Sequence, residues 1–178
     1  MKKIIALALS LMLILCTAAV LAEETAEKAI LGTLKVGQSF MIKSKVPEGY
    51  RFEEIVNNEL NLIGILAGGE GKPTVTVSIA YNEEYADVER FNDVDEETVQ
   101  AIRDSFLMMD DVVFEDLETA YSTRLLKVTQ SDKTFVDIYT IYKGYELEFL
   151  LSAEEVVQDA DIQMLVDFIS DMDFVAAE

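Results

Sequence analysis

The chain has no histidine and no tryptophan, and among its 178 residues only one cysteine and two prolines. The lack of histidine removes the commonest general base and metal ligand. The single cysteine, Cys16, lies inside an apolar N-terminal run, so the chain after it contains no thiol. Cys-His and Ser-His-Asp nucleophilic sites are thereby excluded, as are disulfides and the usual Cys/His zinc sites. No serine begins a Ser-x-x-Lys motif, which leaves the Ser-Lys alternative without its signature. Paired carboxylates that cleave sugars usually come with aromatic platforms, and tryptophan is missing. The expectation is a protein that is not an enzyme and carries no cofactor.

Basic residues are also scarce. Lysine and arginine number 14 against 34 aspartates and glutamates, a net charge of −20. Such a chain is repelled by nucleic acid and by anionic membrane surfaces. A basic protein, a polycation or a divalent metal is the electrostatically favoured partner, although acids spread along the whole chain read first as a solvated surface. The expected partner is an unidentified protein, with a basic one favoured.

Residues 1–22 stand apart. Lys2 and Lys3 precede an almost unbroken apolar run over 4–15, and Val20-Leu21-Ala22 places small or modest side chains before Glu23-Glu24. This is the pattern of a cleaved secretory signal peptide, with the cut between Ala22 and Glu23. It predicts export and no stable membrane insertion afterwards, because a span needs about 20 predominantly apolar residues. A lipoprotein reading, with Cys16 as the lipidated residue, meets Leu13-Ile14-Leu15 where small residues are wanted. It is the minor alternative. Removal of 1–22 takes two lysines and no acid, leaving the remainder at −22.

The remainder is long enough for one domain with its own core. Residues 23–38 read as a partly ordered lead-in and 39–178 as a single α+β domain. Phe40 and Ile42 begin the strand signals, followed by the turn Pro47-Glu48-Gly49, a strand over 50–56 and a second turn at Asn57-Asn58. The runs 60–67 and 73–81 read as a hairpin around the glycine-rich loop 68–72, with Thr74, Thr76, Ser78 and Ala80 alternating against Val75, Val77, Ile79 and Tyr81. Helical spacing of Val99, Ile102, Phe106 and Met109 predicts a helix near 95–108. Three strands follow over 121–130, 135–142 and 145–151, the last two joined by Lys143-Gly144, a tight-hairpin signal. Apolar residues on both faces of 135–142 mark a central strand covered on both sides. Ile162, Leu165, Val166, Ile169 and Met172 predict a final helix over about 159–172.

Two motifs invite chemistry. The loop 68–73 resembles a phosphate loop, but Leu66 stands where the first glycine belongs and Pro73 where serine or threonine belongs. The acids Asp93, Asp95 and Glu97 alternate as in a calcium loop and are the candidate metal ligands. Thr98 replaces the glycine at the sixth position and Asp104 the glutamate at the twelfth, so an acidic helix N-terminus is the preferred reading. The aromatics Tyr139, Tyr142, Tyr145 and Phe149 could line a ligand groove, although sheet packing is the commoner use of such a cluster.

Several features resemble the Mog1/PsbP-like superfamily: the step Val46-Pro47-Glu48-Gly49-Tyr50, the block Thr119-Ala120-Tyr121 leading into a strand over 124–128, the paired strands around Tyr139 and Tyr145, and the closing run Phe168-Ile169-Ser170-Asp171-Met172. The resemblance covers about residues 39–173 and has no diagnostic motif. It implies an antiparallel sheet of about six to eight strands with helices packed on both faces, an α/β/α sandwich. It also implies an accessory or binding role. Two functions are carried forward: an exported non-enzymatic binding module acting through protein–protein contact by a sheet face or a loop such as 68–72, and an extracytoplasmic calcium-binding protein.

Overall fold

Alternation of apolar and polar side chains sets most of this architecture. The computed structural model describes residues 27–35, 39–107, 111–118, 124–130 and 132–177. The leader expected over 1–22, its expected cut between Ala22 and Glu23, and Cys16 lie outside them, as do Met109 and residues 119–123, where the strand expected over 121–130 begins. In chain order the described residues form β1 (Ala29–Leu34), β2 (Phe40–Ser44), β3 (Tyr50–Asn57), β4 (Asn61–Gly68), β5 (Thr74–Tyr81), α1 (Glu96–Phe106), β6 (Val112–Glu118), β7 (Arg124–Gln130), β8 (Phe135–Tyr142), β9 (Tyr145–Ser152), α2 (Asp159–Ser170) and β10 (Asp173–Ala176). Short 3-10 turns at Glu83–Tyr85 and Phe91–Asp93 link β5 to α1.

Seven strands make one antiparallel sheet in the order β3-β4-β5-β9-β8-β7-β6, and β1-β2-β10 make a second, smaller one. The expected hairpins are present, with Leu66 opposite Val75 and Tyr142 opposite Tyr145. β1 lies within the segment read as a partly ordered lead-in, and β10 follows directly after α2. Both pair with β2.

One face of the large sheet carries Leu62, Leu66, Val75, Val77, Ile79, Val136, Ile138, Leu147, Phe149 and Leu151, all buried. Against it pack Leu34, Phe40 and Ile42 of the small sheet and Leu165, Phe168 and Ile169 of α2. On the opposite face a second core joins Phe91, Val99 and Ile102 to Leu126, Val128, Tyr139 and Ile141. β8 is therefore buried on both sides, as its composition required.

The α/β/α sandwich is corrected. The protein is a mixed α+β fold, mostly antiparallel sheet, with two α-helices among the described residues and no helical layers on both faces. Much of the cover on the first face is β-structure, because β2 supplies Phe40 and Ile42 at period two, joined by Leu31 and Leu34 of β1 and Phe174 of β10. On the second face α1 reaches only the β7–β8 end. No helix among the described residues is long and apolar enough to cross a membrane.

The β8–β9 turn shows the local logic. Lys143 and Gly144 have φ of 53° and 80°, the two left-handed positions of a type I′ hairpin. Their amides donate to the carbonyls of Glu89 and Val88, at 3.0 Å each, so the turn also anchors the segment before α1. Gly144→Ala is expected to cost about 1–2 kcal/mol, since a Cβ is disfavoured in this region. A urea midpoint unchanged by the substitution would contradict this.

Candidate binding face

Strand register decides which side chains meet on the second face. Asn61, Ile63, Ile65 and Ala67 of β4 point the same way as Thr74, Thr76, Ser78 and Ala80 of β5 and Glu146, Glu148, Leu150 and Ser152 of β9. Ile65 sits opposite Thr76, Thr76 opposite Leu150, and Ser78 opposite both Ile63 and Glu148. Ile63, Ile65 and Leu150 are only half-buried, and they belong to neither hydrophobic core. The result is a flat strip of isoleucine, leucine, alanine, threonine and serine beside the part of the face that α1 covers.

A group of polar side chains borders this strip. Asp137 of β8 is 3% exposed, opposite Leu150 of β9 and Val128 of β7. Burial first, and then the charge of Glu148, to which it is hydrogen-bonded, push its pKa up to about 8. At neutral pH Asp137 holds a proton, because the buried group loses its solvation on ionising. Asp137 Oδ1 has no hydrogen-bond partner among the described residues.

Next along β9, Glu146 is fully engaged. The Tyr139 hydroxyl donates to its Oε1 at 2.6 Å and Asn82 Nδ2 donates to its Oε2 at 3.0 Å. Burial and that carboxylate push the Tyr139 phenol well above its ordinary pKa, so Tyr139 serves as a permanent donor. Tyr85 is hydrogen-bonded to it, and burial raises the Tyr85 pKa as well.

The candidate metal ligands have other positions. Asp93 closes a 3-10 turn, Asp95 is the N-cap of α1 and Glu97 lies in its first turn. The Asp95 carboxylate accepts from the Thr98 amide and the Thr98 hydroxyl, both at 2.9 Å. These two bonds hold its pKa below the usual carboxylate value. Asp95 and Glu97 do border one surface hollow of about 540 Å3 with Glu84 and Tyr85. Among the described residues no three acids converge as a metal-holding group.

The glycine-rich loop is tied down at its end. Lys72 Nζ donates to the Glu48 carbonyl at 3.1 Å and lies 5.1 Å from the centre of the Tyr50 ring. Beside it a polar cleft of about 760 Å3 runs between the loop and the start of α2, lined by Thr74, Ser152, Glu154 and Gln158 among others.

The aromatic cluster does not form a groove. Tyr145 and Phe149 are fully buried on the first face, Tyr145 against Phe40 and Tyr81, and Phe149 edge-on to Phe168. Tyr139 points to the opposite face, between Phe91 and Phe106. Tyr142 lies opposite Tyr145 on the first face, edge-on to Phe174, and alternation along β8 separates it from Tyr139.

Asp137 was missed on the sequence, although the signal was present: it is the only charged residue in the doubly buried strand Phe135–Tyr142. A buried acid in such a strand needs a partner, and the partner shows only once β8 and β9 are placed in register. Comparison of the chain with protein-family models, with curated proteins and with solved structures gave no match in any of the three.

Proposed function

We propose that the chain is an exported, non-enzymatic binding module that holds a basic protein partner on the open face of β4, β5 and β9. The observation that carries this reading is the row of half-exposed Ile63, Ile65 and Leu150, which belongs to neither core. A solvated antiparallel face normally alternates to polar residues at such positions, and an uncovered apolar patch on a protein surface usually has an occupant. The net charge of −20 and the two glutamates of β9 on this face favour a positively charged partner. Strand addition is the less favoured mode, because both edges of the sheet are blunted. Edge strand β3 has a register shift between Glu54 and Val56, and edge strand β6 carries Glu115 and Asp116 in ion pairs.

Export rests on the 1–22 pattern. A Mog1/PsbP-like relationship rests on element order, with hairpins, α1, the β7–β8–β9 meander and α2 in the expected sequence.

The test is capture from the native cell envelope by the chain and by an Ile63→Asp/Ile65→Asp variant. A saturable partner held by the first should bind the second at least about tenfold more weakly, since two charges would be buried at the contact. Equal capture by both would sink the reading. Thermal unfolding with millimolar calcium or magnesium at matched ionic strength is the companion measurement. Equal small shifts are expected, from screening of the acidic surface. A calcium-specific rise of several degrees would put the cation-binding reading in its place.

A further inference from the structure

Resting on that reading, we infer that the partner places a lysine or arginine side chain on Glu148 and Asp137, and that this contact selects the partner. Glu148 lies at the β9 border of the open strip, opposite Ser78 on one side and Tyr139 on the other. An occupant that covers Leu150 and Ile63 covers Glu148 as well. Glu146 has two donors, whereas the only partner of Glu148 among the described residues is another carboxyl group. Asp137 adds a buried oxygen with no donor among the described residues. A carboxylate removed from water without a cation, with a single carboxyl donor, is strongly destabilising, so an apolar occupant alone would be rejected here.

Among the described residues no lysine or arginine forms an ion pair with Glu148 or Asp137. Arg103 and Arg124 pair with Asp116 and Glu96, Lys127 with Glu115, and Lys143 with Glu89. A calcium ion is the wrong guest, because it wants six or more oxygens and only two carboxyl groups meet here. An ammonium or guanidinium group needs fewer acceptors, and the guanidinium fork suits two adjacent carboxyl groups best.

The test is isothermal titration of the whole chain with a decapeptide of alternating lysine and valine, and with its neutral analogue of alternating glutamine and valine. The lysine peptide should bind saturably and the glutamine peptide at least about tenfold more weakly. Glu148→Gln should weaken the lysine peptide about tenfold, as expected for loss of a covered charge pair. Glu59→Gln makes the same charge change at the exposed β3–β4 turn and should alter affinity by less than about twofold, since it changes only the general field. Asp137→Asn keeps the Oδ1 acceptor and a donor to Glu148, so it should alter affinity by less than about twofold.

Unchanged affinity in Glu148→Gln, or no binding of the lysine peptide, would overturn the inference. If both peptides bind equally and Ile65→Asp abolishes both, the open face stands as the binding surface and the cationic contact falls. If binding survives Ile65→Asp, both readings fall.

Discussion

Asp137→Asn is expected to stabilise the protein by an amount that grows as pH rises from about 4 and is complete above about pH 8. In the folded chain Asp137 keeps its proton up to about pH 8, because its side chain is buried and the Glu148 charge lies beside it. Once unfolded, it ionises with the ordinary carboxylate pKa near 4. The folded state therefore binds the extra proton between these two values, and stability falls as pH rises through that window. Asparagine cannot ionise, and its amide can donate to Glu148 as the protonated acid does. The gain at pH 9 is on the order of a few kcal/mol, given about 1.4 kcal/mol per pKa unit and partial solvent access at Glu148. Urea midpoints of both chains from pH 5 to pH 9 would show it. Parallel curves would mean that Asp137 ionises freely in the folded protein. Repulsion among the many other acids lowers both curves alike, so the difference isolates this one group.

Phe149→Ala is expected to act just as strongly in the opposite direction and on the other face. Phe149 is fully buried, opposite Val77 and Ile138 in the sheet and edge-on to Phe168 of α2. Truncation there should cost about 3–5 kcal/mol, because the ring's contacts are lost and a rigid two-sheet core closes poorly over the void. For a chain of this length that is a fall in Tm of roughly 10 °C. The neighbours Glu148 and Leu150 point to the opposite face, so the folded fraction should bind its partner as tightly as before. A loss below about 1 kcal/mol would mean that the core repacks freely around this position.

Much of the fold could be read in the sequence because its signals are local. The hairpins and the strands β5, β8 and β9 were visible in period-two alternation and in turn residues such as Lys143-Gly144. Helix α1 was visible in Asp95 and the spacing of Val99, Ile102 and Phe106. β1 was hidden because Ala29–Leu34 contains Gly32 and alternates poorly, and its strand form comes from pairing with β2. β10 has four residues, too few for a period to show, and it is held by the same neighbour. Phe168 lay outside the apolar stripe assigned to the last helix, yet it is buried because α2 packs over Phe149 and contacts its cover more broadly than one stripe.

The candidate site was less legible, for a physical reason. Asp93, Asp95 and Glu97 drew attention because they are adjacent in sequence, and Asp95 is used by its own helix. Asp137 and Glu148 are eleven positions apart, and neither is unusual alone. What the sequence determined by itself is the set of preferences each short segment carries: strand, helix, turn, an acidic surface and the absence of imidazole chemistry. Only the tertiary structure decided which strands became neighbours, that a second sheet would share the cover of the first face with α2, and that α1 would stop short of β4, β5 and β9. Those outcomes depend on register and on the competition of whole surfaces for burial, and no single stretch of the chain contains them.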